Sequence, residues 1–152
     1  MIDFSDYVGD FKKAIGDTWL TPRGIVFSEG FALCSLIRHF DVDLIIESGV
    51  AYGGSTSMMA SMTDKPIVAI DTFDEYTDSY EYASKRLKQY ENVKLIKGDS
   101  LIKIPEILDM FNGDKIGVFI DGPKGAIAVE MAHALYLNEE RIKFICVHDI
   151  KY

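Results

Sequence analysis

Five short apolar runs in this chain end on residues able to do chemistry: Glu47-Ser48-Gly49, Ile70-Asp71-Thr72, Gly98-Asp99-Ser100, Asp121-Gly122-Pro123-Lys124 and His148-Asp149. The first continues through Val50-Ala51-Tyr52 to Gly53-Gly54-Ser55. Glycines let a backbone turn tightly and approach a ligand without a Cβ in the way. A helix opening after such a turn offers free N–H groups and the positive end of its dipole, which suit a carboxylate or a phosphate. The spacing is Gly-x-x-x-Gly-Gly. It differs from the Gly-x-Gly-x-x-Gly of dinucleotide sites and lacks the Gly-Lys-Ser/Thr of a phosphate-binding loop. Asp71 lies 22 residues beyond Gly49, close to the ~20 at which an acidic residue takes ribose hydroxyls. A carboxylate there accepts two hydrogen bonds from a diol, and the same residue type also closes β–α turns as a cap. Asp99 has two readings as well, as acceptor for an exocyclic adenine amine or as cap of the next helix, where Ser100 is a further cap candidate.

The last two runs carry a different chemistry. Neighbouring strand ends lie ~5 Å apart, so Asp121 and Asp149 can face one pocket. Two converging carboxylates raise each other's pKa unless a cation or a lysine neutralises them. Mg2+ is held by one or two carboxylates together with waters and substrate oxygens, so the pair is adequate for it. The alternative is a pair that only positions substrate. Lys124 reads either as a proton acceptor with a depressed pKa or as a lysine that starts the next helix and neutralises Asp121. His148 is a second candidate base, or a strand-end histidine satisfied by backbone. His39 and His133 have no partner pattern and are expected to be structural.

These residues need a scaffold that brings strand ends together. The runs at 43–48, 66–71, 92–97, 115–121 and 142–148 have the length and β-branched content of buried strands. Helical spacing fills the gaps between them. Segment 54–62 opens directly after the glycine turn. Segment 75–90 aligns Tyr76, Tyr80, Ala83 and Leu87, segment 100–111 is a shorter helix, and 125–138 aligns Ile127, Met131, Ala134, Leu135 and Leu137. Two more helices are expected before the first strand, over roughly 4–15 and 26–40, separated by the turn Thr21-Pro22-Arg23-Gly24. The second would bury Phe27, Phe31, Leu33, Leu36, Ile37 and Phe40. Strand–helix repetition of this kind implies a parallel sheet with right-handed crossovers, a doubly wound α/β fold of three layers and strand order 3-2-1-4-5. In such a sheet ligands bind beyond the C-terminal strand ends. Tyr7, Phe11 and Trp19 are expected in a helical segment over 1–24 that packs on the sheet edge, with a lid over the ligand as the alternative.

With 152 residues the chain is expected to be one domain, its core spanning 25–152. Apolar residues make up 48% and charged residues 26%, which excludes a disordered chain. No apolar run approaches the ~20 residues that span a bilayer, and the acidic N-terminus does not resemble a targeting peptide. Cys34 and Cys146 sit in apolar stretches and read as buried, reduced thiols of a cytoplasmic protein. Sixteen basic against 24 acidic residues give a net charge of −8, which argues against nucleic acid or anionic lipid as partner. The basic run Lys85, Arg86, Lys88, Lys94 and Lys97 interleaves with Glu81 and Glu91 and reads as a solvated face.

In order, Glu47-x-Gly49-x-x-x-Gly53-Gly54-Ser55, Asp71, Gly98-Asp99, Asp121-Gly122 and His148-Asp149 resemble the motifs of class I S-adenosylmethionine-dependent methyltransferases. The pattern is most similar to the small-molecule O-methyltransferase branch called methyltransferase family 24, with catechol-type and macrocin-type relatives. It covers about residues 25–150. The resemblance implies S-adenosylmethionine as cofactor. Glu47, Gly49, Tyr52, Gly53, Gly54 and Ser55 would surround its methionine part, and Asp71 would take the ribose. Thr72 and Phe73 would lie beside the adenine, Asp99 and Ser100 at its edge, and Asp121 on the cofactor side. The resemblance also implies a metal at Asp121 and Asp149. The third ligand of metal-dependent relatives, an Asn directly after the second Asp, is Ile150 here. Lys124 matches the lysine that removes a hydroxyl proton in some of these enzymes. The implied acceptor is a small hydroxylated metabolite or sugar. Relatives usually continue through two further strands that shape the acceptor site, and their absence here keeps open a cofactor-binding relative without turnover. A nicotinamide- or nucleotide-sugar-binding domain is a third reading, opposed by the glycine spacing. Strand five is expected as an exposed edge on which a second copy pairs to form a homodimer.

Overall fold

The five Val- and Ile-rich runs form the strands β1 (Leu44–Ser48), β2 (Ile67–Asp71), β3 (Val93–Lys97), β4 (Ile116–Ile120) and β5 (Ile142–Val147) in a computed structural model that describes residues 7–15 and 25–150. All pairings are parallel and the order is β3-β2-β1-β4-β5, as expected for a doubly wound sheet. The helices are α1 (Val8–Ile15), α2 (Phe27–Phe40), α3 (Gly54–Met62), α4 (Ser79–Leu87), α5 (Ser100–Met110) and α6 (Ala126–Asn138). Trp19 and the predicted turn at 21–24 lie outside the described residues.

Alternation along the strands feeds two cores. Leu44, Ile46, Ile70, Ile116, Val118 and Ile120 face α5 and α6, where Ile104, Leu108, Ala128 and Met131 are buried against them. On the other face Ile45, Ile67 and Phe119 meet Leu33 and Ile37 of α2 and Met59 and Ala60 of α3. Val50, Ala69, Phe73, Ala83 and Leu87 close that face under α4. The central strands β1 and β4 are buried along their whole length, as a sheet covered on both sides requires.

Several local expectations change. The helix expected from 75 starts at Ser79, because Asp78 takes a left-handed φ of 66° and Ser79 Oγ bonds the Tyr76 carbonyl, making 76–79 a turn. Asp99, not Ser100, caps α5: its carboxylate accepts the Leu101 N–H at 2.9 Å. Helix α6 buries Ala128 and Met131, while the expected core residues Ile127 and Leu137 are exposed. Apolar residues fall on both the inner and the outer side of that helix, so its sequence has no stripe to select the inner face. Phe27 of α2 is likewise exposed. Helix α1 does not pack on a sheet edge. Its Phe11 is buried with Cys34 of α2 and Met58 of α3, edge-on to the rings of Phe27 and Phe31. Both cysteines are free; Cys34 is buried and Cys146 half-buried, and burial pushes their thiols up to about 12 and about 11. No helix of the described residues is long and apolar enough to cross a membrane.

Candidate functional site

The turn after β1 is braced from three sides. Gly49 has φ +88°, and a Cβ there would lie 2.4 Å from the Gly122 nitrogen and 2.7 Å from the Asp121 carbonyl carbon. Only glycine serves both the left-handed backbone and this close crossing of the β1 and β4 ends. The crossing is tied by Ser48, whose hydroxyl donates to the Gly122 carbonyl and whose own carbonyl accepts the Asp121 and Gly122 N–H groups at 2.7 and 2.9 Å. Asp71 braces the turn from β2. Its Oδ2 accepts the Val50 and Ala51 N–H groups at 2.7 and 2.8 Å, and its Oδ1 accepts the Phe73 N–H at 2.7 Å. The third brace is Glu47, fully buried, which accepts hydrogen bonds from the Ser55 and Thr56 hydroxyls in the first turn of α3. Burial pushes the Glu47 carboxyl up to about 8, against the two hydroxyl bonds, so near neutral pH it is largely protonated. Glu47 therefore anchors the helix rather than placing a charge in the site.

A cavity of about 860 Å3 opens at the C-terminal ends of the strands, where a doubly wound sheet binds its ligands. Gly49, Asp71, Thr72, Phe73, Asp99, Ser100, Asp121, Lys124, His148 and Asp149 line it. Its wall also includes Val26, Glu29, Glu75, Tyr76, Ser79, Leu101, Pro123 and Ile127. Phe73 has φ 59°, an uncommon conformation for an aromatic residue, and packs edge-on to Tyr80 at 5.1 Å.

At one end of the cavity a charged cluster joins β4, β5 and α2. Lys124 bonds Asp121 and reaches Asp149 at 3.4 Å. Partial burial works to lower the Lys124 pKa, but the hydrogen bonds and charges of the two carboxylates outweigh it and raise it above the usual lysine value. His148 Nδ1 lies 2.7 Å from Asp121 Oδ1 and 3.7 Å from Asp149 Oδ2, and Nε2 lies 3.0 Å from Glu29 Oε2. The His148 N–H donates to the Ile120 carbonyl at 2.9 Å, which ends the β4–β5 ladder. Asp149 then takes φ 54°. That breaks the pleat that would otherwise send His148 and Asp149 to opposite faces, and both line the cavity. Asp121, His148 and Asp149 each offer a donor atom within 4.8 Å of the others, two carboxylates and an imidazole, a set that fits a divalent cation.

No protein-family model and no curated protein matches the chain. Solved structures do. The O-methyltransferase TomG from Streptomyces achromogenes, involved in tomaymycin synthesis and solved with S-adenosylmethionine, aligns over 84% of this chain with TM-score 0.59 and 25% identity. An O-methyltransferase from Bacillus cereus in complex with S-adenosylhomocysteine aligns over 88%, with TM-score 0.60 and 18% identity. The chain has the class I S-adenosylmethionine-dependent O-methyltransferase fold. A methyltransferase from Podospora anserina bound to S-adenosylhomocysteine has the same fold over 80% of this chain, at TM-score 0.55 and 18% identity. The chain spans 60%, 64% and 60% of the length of these three proteins.

Within the methyltransferase fold the residues predicted from sequence divide into two groups. Those at the ends of β2 to β5 line the cavity together with Gly49. Glu47, Tyr52, Gly53, Gly54 and Ser55 do not; they build the turn behind it. Tyr52 reaches the cavity wall through Tyr76, on which it stacks at 5.8 Å. Glu29 was missed. It sits 119 residues before its partner His148, and its only signal in the sequence was a position in the first turn of a predicted helix, where acids are common.

Proposed function

We propose that the chain is an S-adenosylmethionine-dependent methyltransferase that transfers a methyl group to a hydroxyl of a small metabolite or sugar. The observation that carries this is one cavity with the glycine turn, Asp71 and Asp99 at one side and the Asp121–Lys124–His148–Asp149 cluster at the other. In this reading the Gly49–Ala51 backbone faces the methionine part of the cofactor. Asp71, with lone-pair capacity beyond its three backbone bonds, takes a ribose hydroxyl. Phe73, Ser100 and Leu101 flank the adenine, with Asp99 and Thr72 at its edge. Glu47 contributes through the turn alone.

The sulfonium is already an activated donor, so the protein has to hold acceptor oxygen, methyl carbon and sulfur in line and keep water out. The oxygen forms a bond to the methyl carbon as the carbon–sulfur bond breaks, leaving S-adenosylhomocysteine. The hydroxyl proton passes to the Asp121–His148 pair. Lys124, held as a cation by Asp121 and Asp149, stabilises the charge that develops on the acceptor oxygen. A divalent ion held by Asp121 and Asp149 in place of the Lys124 ammonium would supply Lewis acidity, lowering the pKa of that hydroxyl and leaving His148 to take its proton.

The test is transfer of a labelled methyl group from S-adenosylmethionine to a panel of catechols, sugars and polyketides, with and without divalent cations. Labelled product that disappears in His148→Ala supports the proposal. Cofactor binding without product on any acceptor would instead favour a cofactor-binding relative that lacks turnover.

A further inference from the structure

Among the described residues, six carboxylates line the cavity, those of Glu29, Asp71, Glu75, Asp99, Asp121 and Asp149, and Lys124 is the one lysine or arginine there. Most of the carboxylates are engaged within the fold. Asp71 and Asp99 accept backbone N–H groups, and Glu75 accepts the Tyr76 hydroxyl. Asp121 and Asp149 share the Lys124 ammonium. Glu29 is left with room for a ligand. Its Oε2 accepts the Val26 N–H at 2.9 Å and lies 3.0 Å from His148 Nε2. Its Oε1 has no partner among the described residues, and the side chain is 46% exposed. The wall around it is also apolar. Val26 at the N-terminus of α2 and Ile127 in the first turn of α6 line the cavity with Pro123, and both aliphatic side chains are about half exposed. A cleft lined by one sign of charge concentrates ligands of the opposite sign and repels its own. S-adenosylmethionine brings a sulfonium and an ammonium against a single carboxylate, which leaves the carboxylates of the wall in the majority. An anionic acceptor would have to take Lys124 from Asp121 and Asp149 and then sit among like charges.

We infer that Glu29 sets acceptor specificity by charge: the hydroxylated acceptor carries an ammonium group that pairs with Glu29, an apolar body that rests on Val26, Pro123 and Ile127, and no phosphate or carboxylate. The inference rests on the reading that this end of the cavity is the acceptor end of a methyltransferase site.

The experiment offers acceptors in charge-matched sets at neutral pH: dopamine, methylcatechol and dihydroxyphenylacetate, then glucosamine, glucose and glucuronate. Calorimetry reads their binding with and without S-adenosylhomocysteine, and a labelled methyl group reads transfer. In at least one set the ammonium member should lead the carboxylate member by about tenfold or more in Kd or kcat/KM, because one gains an ion pair where the other meets repulsion. High salt should cut that ratio about threefold in the wild type by screening an exposed pair. Glu29→Gln keeps an oxygen for the Val26 N–H and removes the charge. It should lower the ratio roughly three- to fivefold, the scale of one partly exposed ion pair. A merely structural role for Glu29 would weaken all members of a set together and leave the ratio where it was. A ratio near one, a carboxylate member that leads, or a ratio unchanged in folded Glu29→Gln overturns the inference, as does failure of all six compounds to bind. If S-adenosylhomocysteine binds in such a case, only this inference fails. Selective binding of the ammonium members through Glu29, without binding of S-adenosylhomocysteine, would instead remove the methyltransferase reading and leave an amine site. Binding of neither overturns both.

Discussion

Replacing Glu47 by Gln should flatten the pH dependence of folding stability between about pH 4.5 and 8. Burial pushes the folded carboxyl up to about 8 from an ordinary 4.5. Between those values the folded chain keeps a proton that the unfolded chain has lost, so stability falls as pH rises. The stability is fully present below the unfolded value and is lost as pH climbs through the folded one. At ~1.4 kcal/mol for each pH unit of separation, the loss has a ceiling of about 5 kcal/mol. Glutamine does not titrate. Its carbonyl can accept from one of the Ser55 and Thr56 hydroxyls while its amide donates to the other, so both partners of Glu47 stay satisfied. Subtracting one profile from the other removes the pH dependence the two proteins share and leaves that of Glu47. Urea unfolding at pH 5, 6, 7 and 8 provides the measurement. The variant should gain on the wild type steadily with pH, by several kcal/mol across the range. Parallel profiles, with a difference constant to within ~0.5 kcal/mol, would refute the assignment of Glu47 as a buried, largely neutral anchor.

Three further outcomes follow from the same turn and cluster. Gly49→Ala combines a left-handed backbone at φ +88° with a Cβ 2.4 Å from the Gly122 nitrogen. It should lose about 2–4 kcal/mol in thermal or urea unfolding, together with cofactor binding. Asp71→Ala orphans the N–H groups of Val50, Ala51 and Phe73, each worth about 1–3 kcal/mol when buried without a partner. Its melting temperature should fall further than that of Asp71→Asn, which keeps one accepting oxygen. Lys124→Met should bind S-adenosylhomocysteine within about twofold of wild type in calorimetry and transfer methyl groups roughly a hundredfold more slowly, the scale of losing one preorganised electrostatic donor.

The scaffold was legible in the sequence because its signals are local. Runs such as Ile67–Asp71 and Val93–Lys97 carry β-branched residues in strand-length blocks bounded by helical spacing, and every strand lies within a residue or so of its expected bounds. The lining residues at the ends of β2 to β5 were legible for the same reason, since the fold class dictates where strand ends converge. Three things were not. The direction of Glu47 depends on Ser55 and Thr56 in the next helix, and a strand-end acid reads alike whether it faces ligand or core. The shared facing of His148 and Asp149 depends on a left-handed residue, φ 54°, that is not glycine. The contact of Glu29 with His148 crosses 119 residues and two layers of the fold, and no periodicity encodes it.

The proposed ligand of the cavity over the β1, β2 and β3 ends is S-adenosylmethionine. Calorimetric titration of the purified chain with S-adenosylhomocysteine, and separately with NAD+, is the decisive measurement. Saturable binding of S-adenosylhomocysteine at one site with a micromolar Kd, about −8 kcal/mol, is expected, with no heat from NAD+. Absence of S-adenosylhomocysteine binding, or equal binding of the two ligands, would contradict it.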